Sequence, residues 1–359
     1  DLVKLLQNAL GSQYSNYVPL KIPPNQYVDF NFNLRSKIAS ALFGEGVLLD
    51  DNTFIKGKIN PTKKLFKLNV RAPKLQIKTT KFDMLEIQID TQNPFYHSFI
   101  SLNELEIPQG KLLQLNWINS KIKENLYGRA EFVSVAIPEK LNQFNTSFTI
   151  NESGQAVLGI QNADFYFNNK HWKLDSSQMP AVLSAKSTAD FSLSKLVLNS
   201  DNSKISIAAS QNGAGSFSLG LSFEQVNLGD ILSFQKDKWE GIVDGFLNIK
   251  QAKSGIGGSS SLRFSKLKLN EISLGDANLT LQSQEDNAAY SLAFSVEEDG
   301  VDVISATGNI GITNRTPFWN IYATFSDYNL SAIAGLTTTV FDPFVGKANG
   351  KLQLRLNNG

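Results

Sequence analysis

A chain of 359 residues carries 34 Lys+Arg against 33 Asp+Glu, a formal net charge of +1, which gives no electrostatic pull toward nucleic acid or an anionic membrane surface. It has no cysteine, so a disulfide framework, a thiolate nucleophile and a cysteine metal site are excluded. Hydrophobic residues make up 42%, within the soluble globular range, and no apolar run is long enough to span a bilayer as a helix.

The sequence begins at Asp1 and closes in the strand-like GKLQLRLNNG; the expectation is a piece of a longer protein. Residues 1–10, DLVKLLQNAL, space their apolar side chains at the helical period and predict a short helix. Val28, Phe30, Phe32 and Leu34 alternate with polar residues and predict a strand. RSKIASALFG, 35–44, predicts a second short helix with Gly44 as its C-cap. Alternation then continues through Phe66, Leu68 and Val70, through Leu85, Ile87 and Ile89, and through Leu113, Leu115 and Trp117. Ala163, Phe165 and Phe167 follow, then Ile205, Ile207 and Ala209. SFSLGLSFEQVNL, 216–228, is the cleanest case, with Phe217, Leu219, Leu221 and Phe223 set against Ser216, Ser218, Gly220 and Ser222. The last third repeats the pattern at Leu279 and Leu281, at Tyr290 to Val296, at Trp319 to Phe325 and at Leu352 to Leu356. NNK at 168–170, NGAG at 212–215 and EEDG at 297–300 are turn signals. Between Phe264 and Leu267 the apolar parity slips, which predicts a bulge. LGDILSF and LSAIAGL read as helices of about two turns each. KSGIGGSSS, 253–261, is the one linker candidate.

An internal repeat is present. FEQVNL at 223–228 matches FSDYNL at 325–330. A short helical stretch follows each, and then GIVDGFLNI at 241–249 or GKANGKLQL at 346–354. The shared Gly-x-x-x-Gly is flanked by polar residues and strand patterns, so it reads as the tight start of a strand. Residues 1–155 read as a first β-segment with short helices at 1–10 and 35–44. Residues 156–251 and 252–359 read as two β-repeat modules, all three expected to form one continuous groove.

So many alternating strands fit a sandwich, a closed barrel or an open curved sheet. A sandwich of this size usually shows compact units with clear linkers, and an outer-membrane barrel would show aromatic girdles. The few helices are too short to cover the apolar face. The expectation is therefore all-β: an elongated curved single sheet, a β-taco or open groove with an apolar interior. Its lining would include Phe217, Leu219, Leu221, Phe223, Leu262, Phe264, Leu292, Phe294, Trp319, Ile321 and Phe325. Packing of the same rows on other protein is the competing reading.

Three stretches resemble the TamB family of the AsmA-like bridge-like lipid-transfer superfamily. They are residues 52–90, residues 165–210 with the Trp-Lys-Leu-Asp step at 172–175, and the doubled VNLGDIL…GIVDGFLNI and YNLSAIA…GKANGKLQL module. The resemblance implies a β-taco in the periplasm of a Gram-negative envelope, as a segment of an inner-membrane-anchored protein. It implies phospholipid acyl chains as cargo, a TamA-type outer-membrane barrel engaged through regions outside this chain, and a role in lipid movement or outer-membrane protein assembly. Nascent outer-membrane strands are the alternative cargo, and an adhesin-like binding module or a ligand-free scaffold is the alternative function.

Enzymatic signals are poor. His97 and His171 lack metal-ligand spacing and read as structural. No Gly-x-Ser-x-Gly elbow or phosphate-binding Gly-Lys-Ser/Thr loop occurs. Glu297 and Glu298 read as solvated turn residues. The expectation is a non-enzymatic protein with no cofactor, no metal and no nucleic-acid partner.

Overall fold

The computed structural model describes residues 2–35, 46–108, 110–135, 137–167, 170–175, 177, 180–187, 190–213, 216–232, 238–252, 255–283, 289–313, 316–330 and 346–356. The chain divides into two compact units, residues 1–186 and 187–359. Among the described residues there are 22 strands, their pairings are antiparallel, and helix is confined to two short α segments and one 3-10 turn. The all-β sheet architecture expected from the alternation is what the structure has.

The first unit opens with helix α1 (Leu2–Gly11). The strands are β1 (Val28–Leu34), β2 (Val47–Leu49), β3 (Thr53–Asn60), β4 (Leu65–Ile77), β5 (Thr80–Asp90) and β6 (Ser98–Ile107), then β7 (Gly110–Ile122), β8 (Asn125–Ser134), β9 (Ile137–Ile150), β10 (Ala156–Phe167), β11 (Lys170–Leu174) and β12 (Ala181–Ser187). From β3 to β10 each strand pairs with the next. At one end β3 and β2 share one side of β4, with β1 beyond β3. At the other, β11 and β12 share one side of β10. Helix α1 packs Leu5 and Ala9 on Ile59 and Phe66. The helix expected at 35–44 lies outside the described residues apart from Arg35.

The second unit is a meander of consecutive hairpins: β13 (Asp190–Ser200), β14 (Ser203–Asn212), β15 (Ser216–Asn227), the short helix α2 (Leu228–Leu232), β16 (Trp239–Ala252), β17 (Gly255–Leu269), β18 (Ile272–Ser283), β19 (Ala289–Glu298), β20 (Val301–Thr313), β21 (Thr316–Asn329) and β22 (Lys347–Leu356). LGDILSF gives α2; LSAIAGL, beyond Leu330, lies outside the described residues. The linker candidate is no linker from Gly255 onward, because those residues are already strand β17. EEDG turns at Asp299 (φ 50°) and Gly300 (φ 80°). Two positive φ values are what a two-residue hairpin turn needs to match strand twist. Glu297 and Glu298 are not in the turn but are the last residues of β19, half-buried.

The repeat has a backbone meaning. In β15, β17 and β21 the pairing register shifts between Phe223 and Val226, Phe264 and Leu267, and Phe325 and Tyr328. Each gap holds one left-handed residue: Gln225 (φ 50°), Lys266 (φ 54°) and Asp327 (φ 52°). That conformation costs a non-glycine residue about 1–2 kcal/mol. A side-chain oxygen on the next strand accepts each exposed N–H: Asp244 Oδ1 from Gln225 at 2.7 Å, Asp276 Oδ1 from Lys266 at 2.7 Å, Asn349 Oδ1 from Asp327 at 2.8 Å. The extra residue lets apolar side chains on both sides of the bulge face the same way. Val226 is 0% and Tyr328 2% exposed, and the buried cluster of Leu269, Leu274, Ala277, Val296, Val303 and Tyr328 gathers beside these bulges.

Gly245, the second glycine of the first Gly-x-x-x-Gly, lies inside β16 rather than at its start. Its φ is 120°, and a Cβ there would stand 2.0 Å from the Ser261 carbonyl oxygen. Gly350, its counterpart in β22, has φ 149° but open space around it. Gly245→Ala is expected to cost about 3 kcal/mol, and Gly350→Ala about 1 kcal/mol, because only the first adds a backbone clash to the strained φ. Urea unfolding midpoints of the two variants check the difference.

Candidate functional site: the apolar sheet faces

Residues directly opposite each other in a ladder share a face, so the registers decide what lies beside what. In the second unit one row runs Leu198, Ile205, Phe223, Gly245, Leu262, Leu279, Phe294, Ala306, Ala323, Leu352. The next runs Leu196, Ile207, Leu221, Leu247, Ser260, Leu281, Leu292, Gly308, Ile321, Leu354. Each crosses all ten strands from β13 to β22 and contains no charged residue. Phe217 and Leu219 continue the face on β15, Phe264 on β17, and Trp319 and Phe325 on β21. All eleven residues expected to line a groove therefore lie on one face. The opposite face reads Ser206, Ser222, Phe246, Ser261, Thr280, Ala293, Thr307, Tyr322, Gln353.

The apolar face is only partly covered. Trp319 is 39% exposed, and the other ten are half-buried, screened by row neighbours but not sealed. Among the described elements of this unit, substantial contacts run only between ladder neighbours and from α2 to β15 and β16.

The first unit has its own apolar face, with the row Phe32, Ile55, Val70, Ile87, Ile100, Trp117, Ala130, Phe144, Ala163. Phe132, Phe144 and Phe165 stack across three strands at centroid distances of 5.9 and 5.2 Å. The neighbouring row is interrupted by Ser98, Asn119 and Thr146, and Asn119 Nδ2 donates to Ser98 Oγ at 2.6 Å. Here α1 and the turn after it lie over the face. Gln13 Nε2 donates to the Lys64 carbonyl at 2.5 Å, Ser15 N–H to Glu124 at 2.7 Å, and Asn16 Nδ2 to the Ile150 carbonyl at 3.1 Å. The sequence reading missed this cap. Helical spacing at 1–10 was visible, but nothing in it shows where the helix docks.

His97 stands just before β6; its ring Nδ1 accepts the Lys121 N–H at 3.3 Å. His171 is within β11, stacked on Tyr166 at 4.4 Å and bonded to Asp164. Among the described residues no group of three His, Cys, Asp or Glu could hold a metal ion, and no helix is long and apolar enough to cross a membrane. No family model, curated protein or solved structure matches the chain.

Two predictions concern these faces. Ser260 is 2% exposed in an otherwise apolar cross-strand row, between Leu247 and Leu281, and its hydroxyl has no hydrogen-bond partner among the described residues. Ser260→Ala removes a desolvated, unpaired group and is expected to raise stability by about 1 kcal/mol in urea unfolding. Burial, and secondarily Lys121, hold the His97 pKa below its ordinary 6.5, against the pull of Asp90. Between the lowered value and 6.5 the unfolded chain binds more protons than the folded one. The His97 contribution is thus full above pH 6.5 and is lost as pH falls through the lowered value. His97→Gln is expected to flatten that part of the stability–pH curve.

Proposed function

We propose that the chain is a non-enzymatic lipid-binding protein whose apolar sheet faces carry acyl chains. One observation supports this above the others: two charge-free apolar rows cross ten consecutive strands, most of their residues half-buried or exposed, with a mostly polar face behind them. A face of that extent exceeds the apolar patch a soluble monomer usually leaves open. Burying a methylene against it is worth about 0.8 kcal/mol, so a chain of many methylenes gains substantially without any specific contact. The rows offer almost no fixed polar anchor, so binding is insensitive to headgroup. A chain held by uniform apolar wall has no deep minimum and slides, as a conduit requires.

The likeness to the TamB family supplies the setting of the proposal. In it the chain is a periplasmic segment of an inner-membrane-anchored protein, moving phospholipid between membranes or assisting outer-membrane protein assembly. A TamA-type barrel would engage regions outside this chain.

Native mass spectrometry and lipid extraction of the purified chain test the reading. Co-purified phospholipid is expected, and uptake of a fluorescent phospholipid is expected to fall at least tenfold in Leu219→Asp/Leu292→Asp with far-UV circular dichroism unchanged. Half-buried positions tolerate the charge in the folded state, while the desolvation of a carboxylate opposes a bound acyl chain. A chain without lipid and without uptake sinks the proposal in favour of a scaffold.

A further inference from the structure

The first unit holds a cavity that differs in kind from the charge-free rows of the second. It lies between the turn after α1 and the apolar sheet face and encloses about 330 Å³, at the small end of the range for small-molecule sites. Leu10, Leu126 and Phe148 contribute apolar wall, and Tyr14 and Phe148 meet edge to face at 5.5 Å. Seven polar side chains also line it: Gln13 donates to the Lys64 carbonyl, Tyr17 to Asn8 Oδ1 and Thr91 to the Lys64 carbonyl, and Ser98 accepts from Asn119 Nδ2; the other three are Lys121, Tyr14 and His97.

None of the three is fully used by the protein. The Lys121 ammonium donates to the Gln13 carbonyl and sits 5.0 Å from the Tyr14 ring centroid, and it makes no ion pair among the described residues. An ammonium has three donors, so two remain. The Glu124 carboxylate is turned to the Ser15 N–H at 2.7 Å, although its field reaches Tyr14 and Lys121. The Tyr14 hydroxyl has no acceptor among the described residues, and burial, with Glu124 second, pushes its pKa up to about 12, so it stays a donor. Because His97 Nδ1 accepts a backbone N–H, the neutral ring carries its proton on Nε2, which has no partner among the described residues. Donors without acceptors beside an apolar wall, with one positive charge among them, match an anion attached to a hydrocarbon chain.

We infer that this cavity binds a single-chain anionic amphiphile, with the alkyl chain against Leu126 and Phe148 and a carboxylate or phosphate head on Lys121, Tyr14 and His97. The site does not depend on the conduit reading, because its specificity comes from fixed polar groups that the rows of the second unit lack.

Isothermal titration of the full chain with dodecanoate, dodecyl phosphate and dodecan-1-ol, each below its aggregation limit, tests this. The Leu219→Asp/Leu292→Asp background removes binding to the second unit, so failure of either proposal is seen separately. Saturable binding of at least one anion, at least tenfold tighter than the alcohol, is expected, and the two anions show which head the site takes. Lys121→Met is expected to weaken the preferred anion about 10- to 100-fold and leave the alcohol unchanged, the scale of a lost charge-assisted hydrogen bond. If that variant does not fold, Tyr14→Phe keeps the ring and is expected to weaken the anion about fivefold. Equal affinity for alcohol and anion, no binding of any probe, or unchanged anion affinity in a folded variant overturns the inference.

Discussion

The backbone ladder is the constraint on which everything else rests. Side-chain direction alternates with period two, so a slip of one residue would turn every apolar side chain of a strand to the polar face. In the second unit no net slip accumulates across ten strands. The bulges are what allow this where strands bend. At Gln225, Lys266 and Asp327 an added residue would reverse the parity, but the left-handed conformation takes up the extra residue, and Val226, Leu267 and Tyr328 rejoin the apolar face. The acceptors Asp244 and Asn349 hold the bulges at Gln225 and Asp327 in one position of the repeat, and Asp276 holds the bulge at Lys266 in the same way. The matching sequences FEQVNL and FSDYNL are the visible trace of that device.

Ion pairs act on the same constraint in the first unit. Lys58–Asp29, Lys67–Asp90, Arg71–Glu86 and Lys81–Glu106 all join directly opposed residues of neighbouring strands. Lys111 extends the last of these by bridging Glu104 and Glu106. Each is solvent-exposed and adds little to stability, on the order of 0–1 kcal/mol. Their effect is on register: a shift of one residue would place like charges opposite each other or leave a charge on the apolar face. Polar side chains on the outer face thus specify what the inner face presents.

How much of this was legible in the sequence follows from which contacts are local. Period-two alternation is a property of adjacent residues, so the strands, the sheet class and the common face of Phe217, Leu262, Leu292 and Trp319 could be read directly. The bulge at Phe264–Leu267 was legible because it breaks that period within four residues. The position of Gly245 was not, because it is set by the Ser261 carbonyl on the next strand. The interior position of Lys121 was also hidden. It follows Trp117 and Asn119 on the inner side of β7, and only the docked turn, through Gln13 and Tyr14, shows why a lysine is tolerated there. The parity rule assigns such a residue to a face correctly, but no local pattern names its partner.

The two apolar faces therefore differ in a way that, on the lipid-binding reading proposed above, would decide how a hydrocarbon chain is held. Where a row is uninterrupted, as from Leu198 to Leu352, contacts are additive and interchangeable, and moving a chain along by one strand spacing replaces each contact with a similar one. Where the row carries Ser98, Asn119 and Thr146, with Lys121, His97 and Tyr14 beside it, the contacts are directional and tied to fixed atoms. Displacing a polar head from them leaves desolvated donors unpaired, which costs far more than exchanging one methylene contact for another. Directional contacts hold a molecule in place and uniform apolar contacts let it move, so on the proposed reading the distribution of a few polar residues along otherwise similar strands would separate retention from passage.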